Sequence, residues 1–192
     1  AGLKTTMGIL GHSPALLADG INSTSDVAYY LVVRAFMGLA QKPADEEHPY
    51  GHRQLESIAA VVVGAFVLTT GIAIFWDAIN KVYDLWSRGG NAEGASIGAL
   101  AVAILTIGVK IALTSITRRI GRQADNPAVL ALAQDHRNDI FAASAAFIGI
   151  LLGRMGYLWV DPFAGAVVAA IILHTGLSIL RQSSGDLMDT VP

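Results

Sequence analysis

Apolar runs alternate along the chain with short polar connections, and three of the runs approach the ~20 residues that cross ~30 Å of hydrocarbon. Ser57 to Trp76 carries no charge, Ala95 to Thr117 only Lys110, and Pro162 to Leu180 none, although it contains His174. Two further stretches keep the apolar spacing of a helix but carry one polar stripe each. Ser13 to about Gln41 holds Asp19, Asn22, Asp26 and Arg34, and about Pro127 to Gly153 holds Asp135, His136, Arg137 and Asp139. Pro14 and Pro127 suit a first helical turn, where a missing N–H costs little. Residues 1–11, ending near Gly11, read as the tail of another helix. The pattern therefore predicts an all-α polytopic membrane bundle. It has six transmembrane helices at about 1–11, 13–41, 55–86, 94–118, 127–153 and 161–181, the first of them incomplete.

Composition agrees with a membrane protein: 53% of the residues are hydrophobic, 15% are charged and 20 are glycine. A net charge of -2 without a basic stripe argues against a nucleic-acid partner. The lack of cysteine excludes disulfide frameworks and thiolate metal sites. No signal-peptide pattern opens the chain, whose first residue is Ala, and the natural chain is expected to begin earlier. Arg118, Arg119 and Arg122 fall in one connection and Arg181 follows the last span. The positive-inside rule then makes that connection, the 42–56 loop and both termini cytoplasmic.

The polar stripes carry the candidate chemistry. Asn22 with Asp26, and Asp135 with Asp139, stand at i, i+4 and so share a helical face. An aspartate at the bilayer centre opposes insertion by roughly 2.5 to 3.5 kcal/mol, so three add about 8 to 10 kcal/mol. Such residues are expected to face inward and to bind a cation between the two helices. The bland alternative is an interhelical hydrogen-bond network that fixes packing, but such networks are usually built from uncharged Ser, Thr, Asn and Gln. A second unusual segment, Lys42 to Arg53, contains Asp45, Glu46, Glu47, His48 and His52. Carboxylate and imidazole are ordinary ligands of divalent first-row metals, yet such loops are as often plain solvated surface.

Four segments together, in order, resemble the cation diffusion facilitator (cation efflux) family. They are SPALLADGINSTSD at Ser13 to Asp26, HPYGHRQLE at His48 to Glu56, DHRND at Asp135 to Asp139, and Trp159-Val160-Asp161-Pro162. The resemblance implies a six-helix, normally homodimeric domain in a lipid bilayer that exports divalent metal from the cytoplasm in exchange for protons. It implies a transport site at Asn22, Asp26, Asp135 and Asp139 and a more variable loop site at Asp45, His48 and His52. It also implies residence in a bacterial inner membrane. Family members usually continue into a soluble metal-binding domain. Residues 1–186 are therefore expected to be the transmembrane domain and 187–192 the start of a cytoplasmic domain missing here.

Zinc-transporting members tend to carry His in the transport site, whereas Asn22 and Asp135 stand at those positions here. An all-oxygen donor set suits Mn²⁺ and resembles that of bacterial manganese exporters of the family; Zn²⁺, Fe²⁺ and Co²⁺ stay open because most N/O sites bind Mn²⁺ more weakly. No prosthetic group is expected, the divalent cation being cargo. Crowded carboxylates make metal and protons rivals for the same oxygens, which predicts antiport. HExxH does not occur, so an intramembrane metal hydrolase is the weaker alternative and the chain is expected to be a transporter, not an enzyme. A metal channel or sensor could use the same ligands.

The remaining polar residues are expected to be structural. Asp19 reads as a cap or a residue of the access path, and His136 and Arg137 as pairing or snorkelling groups. Lys110 and Arg34 should pair with carboxylates or reach the interface, and His174 should be a hydrogen-bonded packing residue. Asp161-Pro162 reads as a helix start with Pro first. Gly64, Gly71, Gly98, Gly108, Gly149 and Gly165 read as close-packing points.

Overall fold

A computed structural model describes residues 1–45, 49, 51, 52, 54–88, 94–125 and 127–188. The helices are α1 (Gly2–Leu10), α2 (Pro14–Ala40), α3 (Gln54–Arg88), α4 (Ile97–Gln123), α5 (Pro127–Arg154) and α6 (Val160–Leu187). The described residues contain no strand, so the fold is the expected all-α bundle of six helices. Among the described residues α3, α4 and α6 are long and apolar enough to cross a membrane, and they contain the three apolar runs. The polar stripes keep α2 and α5 out of that class. At 35 residues and ~1.5 Å each, α3 is about 52 Å long and outreaches the hydrocarbon, which accommodates Asp77, Lys81 and Asp84 beyond Trp76.

Packing places α2 at the centre, against α1, α3, α5 and α6, while α3 lies along α6 and α4 along α5. Small side chains permit this: Ala15, Ala18, Ala142, Ala146 and Ala169 are buried with Leu16, Ile150, Val168 and Ile172. The approach of α1 to α2 is backbone to backbone. A Cβ on Gly8 would lie 2.5 Å from Leu17 N, and one on Gly20 would lie 2.6 Å from Thr5 N. Gly64, Gly71, Gly98, Gly149 and Gly165 also pack tightly, but Gly108 meets nothing within 4 Å among the described residues and is not a packing point between them. Large apolar side chains such as Phe66, Trp76, Ile104 and Val109 point outward, as lipid-facing residues do.

One end of the bundle gathers the start of α2, α4 and α6 with the ends of α1 and α5. Ser96 N donates to Gly11 O at 2.9 Å, and Arg154 donates to Ala95 O at 2.6 Å. Ser13 caps α2 by accepting from Leu16 N at 3.2 Å. Asp161 proves to be more than a helix start. Its Oδ1 accepts from Ser13 Oγ at 3.0 Å and from Ala15 N at 3.2 Å, so a carboxylate of α6 completes the cap of α2 and meets the positive end of its dipole. α6 already begins at Val160, which puts Pro162 inside the first turn and not at its first position.

Candidate functional site

Asp26, Lys110 and Asp139 each fall at the middle of their helix, α2, α4 and α5. Asn22, one turn from Asp26 on the same face, is buried, and Asp26 and Asp139 are half-buried. Asp26 lies within electrostatic reach of Asp139, Lys110, Lys4 and Asp135. The central packing of α2 on α5 thus brings the two polar pairs into one field. Asp139 Oδ2 accepts from Lys110 Nζ, and these side chains are 16% and 17% exposed. Lys110 therefore pairs with a carboxylate, as its position implies, and the carboxylate is a member of the polar pairs. Asp135 is exposed, and Tyr30 on α2 lies within electrostatic reach of it. Tyr30 stands at i+4 from Asp26, a spacing that sequence reasoning did not use.

Asp19 is not a helix cap but the partner of a buried lysine. It is 1% exposed and bonded through Oδ2 to Lys4 Nζ of α1 at 2.9 Å. Its Oδ1, and Ser23 Oγ one turn further on the same face, are buried without a hydrogen-bond partner. Lys4 is a residue that sequence reasoning missed. A lysine in an otherwise apolar helical segment was the available signal.

In the loop, His52 Nε2 lies 3.5 Å from Asp45 Oδ2, with the His52 side chain 11% exposed and Asp45 54% exposed. His48, the third residue of the expected loop site, lies outside the described residues. Arg34 and Arg137 are exposed and His136 is half-buried. His174 is exposed on α6, which corrects its reading as a packed residue: its helical position turns it away from the α3 contact.

Among the described residues no three His, Asp or Glu side chains close into a cluster able to hold a metal ion. The four candidate oxygen donors stand on the neighbouring helices α2 and α5, and Asp139 is engaged by Lys110. Separately, an open groove of about 580 Å³ lies at the end where α2 and α6 begin, lined by His12, Ser13, Lys81, Asp84 and Asp161 among others. The arrangement combines mid-helix carboxylates with an ammonium bonded to one of them.

The family model described as the cation efflux transmembrane domain matches residues 1–188. The manganese efflux system protein MneP of Bacillus subtilis is 33% identical over 97% of the chain and 63% of its own length. MneS, a manganese efflux system protein of the same organism, is 29% identical over 97% of the chain and 63% of itself. Metal tolerance protein C1 of Arabidopsis thaliana is 33% identical over 97% of the chain and 42% of itself. The chain thus spans at most 63% of the length of these curated relatives.

Proposed function

The chain belongs to the cation efflux family, and on that premise we propose that it is the membrane domain of a proton-coupled exporter of divalent metal, with Mn²⁺ as its principal substrate. The observation that carries the reading is the position of Asp26 and Asp139, each at the centre of its helix, on the packed helices α2 and α5. Carboxylates at that depth oppose insertion and persist where they serve an ion.

Asn22, Asp26, Asp135 and Asp139 form the transport site in this reading. Three carboxylates and an amide oxygen are hard donors, which suit Mn²⁺ better than an imidazole-containing set. MneP, whose likeness covers 97% of this chain and 63% of its own length, is itself described as a manganese efflux protein. Asp45, His48 and His52 form a second site that tunes affinity from the loop. By the positive-inside rule, the arginines after α4 and α6 favour a cytoplasmic side for that loop and the end of α6 in a bacterial inner membrane, and the groove at the opposite end is then the mouth through which ions leave. The working unit is a homodimer.

The ion and protons compete for the same oxygens, so protons arriving from outside eject the metal and their loss inside restores affinity. Proteoliposomes with an imposed pH gradient test this. Mn²⁺ flux should rise with the gradient and saturate with Mn²⁺; flux indifferent to the gradient would contradict coupling, and a non-saturating flux would indicate a channel.

A further inference from the structure

Among the described residues, two lysine–aspartate pairs join different helices of the bundle, and they differ in access. Lys4–Asp19 is sealed, with side-chain exposures of 6% and 2%, whereas Lys110–Asp139 remains open at 17% and 16%. Lys110 stands at the centre of α4, where it cannot reach a membrane interface by snorkelling in the way a lysine near a helix end does. Its ammonium rests on an oxygen that a transported ion would need.

Two cations cannot share that oxygen without strain. A divalent ion bound to Asp139 at a ligand distance of about 2.0–2.2 Å would sit beside Nζ, with twice the repulsion of two unit charges at that separation. We propose that Lys110 is a tethered counter-cation of the transport site, held by Asp139 until a divalent ion displaces it and returning to Asp139 as that ion leaves. The inference rests on the assignment of Asp139 to the transport site. A lysine suits the task, being a compact point charge on a flexible stem without the rigid fork of arginine.

Displacement lowers the affinity for the ion and speeds its departure, because the returning ammonium takes its place. The experiment is Mn²⁺ titration calorimetry on the full-length protein in nanodiscs, with stopped-flow release of Mn²⁺. Lys110→Met should tighten Mn²⁺ binding by about tenfold, ~1.4 kcal/mol, and slow release by a similar factor. Lys110→Gln, which keeps a donor for Asp139, should do the same and serves if the methionine variant does not fold. Lys110→Arg, which keeps the charge, should not tighten binding. Asp139→Ala should abolish binding at this site and reports any other sites in the full-length chain. Unchanged or weaker binding in both neutral variants, with binding lost in Asp139→Ala, overturns the counter-cation and leaves the transport site standing. Wild-type affinity in Asp139→Ala overturns the site and the counter-cation with it.

Discussion

Lys4 of α1 is bonded to Asp19 of α2 at 2.9 Å inside the bundle, with both residues buried. The close approach of the two helices at Gly8 and Gly20 makes the contact reachable. Removing one partner strands a buried charge, which costs about 3–5 kcal/mol, whereas replacing both with apolar residues is often neutral. Lys4→Met should therefore lower the thermal midpoint sharply, and Lys4→Met with Asp19→Leu should recover most of the loss. Thermal unfolding in detergent, followed by size-exclusion chromatography, reads both.

Asp161 holds the start of α2 from the start of α6 through Ser13 Oγ and Ala15 N. Asp161→Ala leaves a buried backbone N–H unpaired and is expected to cost about 1–3 kcal/mol, with Asp161→Asn costing less because its carbonyl still accepts. The same thermal assay should rank wild type above Asn and Asn above Ala. Equal losses for the two variants would show that the negative charge near the dipole of α2, not the acceptor, is what matters.

Asp26→Ala and Asp139→Ala should each abolish Mn²⁺ transport in proteoliposomes while the protein stays folded. His52→Ala should reduce transport only in part, since its contact with Asp45 lies in the loop and away from the helix centres. Full activity in either aspartate variant removes that residue from the transport site. Complete loss in His52→Ala would move the essential chemistry into the loop.

Asn22→His replaces an amide oxygen with imidazole nitrogen at a buried position of the site. Nitrogen ligation favours Zn²⁺ over Mn²⁺. Competitive flux with Mn²⁺ and Zn²⁺ should shift towards Zn²⁺ by about tenfold, ~1.4 kcal/mol. An unchanged ratio would show that the ligand at this position does not set preference.

Local patterns carried the helices well. Ser57 to Trp76 and its two companion runs identify α3, α4 and α6 because lack of charge over a span is a property of the span alone. Pro14 and Pro127 mark α2 and α5 because proline acts on its own turn. Pairings between helices were not legible in the same way. Lys4 finds Asp19 through glycines on both helices, and Asp161 finds the start of α2 across most of the sequence, where the local Asp-Pro signal spoke only for α6. Lys110 could be read as a partner for some carboxylate, but its choice of Asp139 follows from the packing of α4 along α5. His174 and Gly108 were misread for the same reason, since which face of a helix meets a neighbour is decided by the bundle.

The central claim is that oxygens of α2 and α5 hold the transported ion at the middle of the bundle. Anomalous diffraction from crystals of the full-length protein grown with Mn²⁺ tests it most directly. The account predicts a manganese peak between the two helices, about 2.0–2.6 Å from oxygens of Asp26, Asp139 and at least one of Asn22 and Asp135, the range for oxygen ligands of hard divalent cations. Manganese confined to the loop or to the groove near His12, with none between α2 and α5, would contradict it.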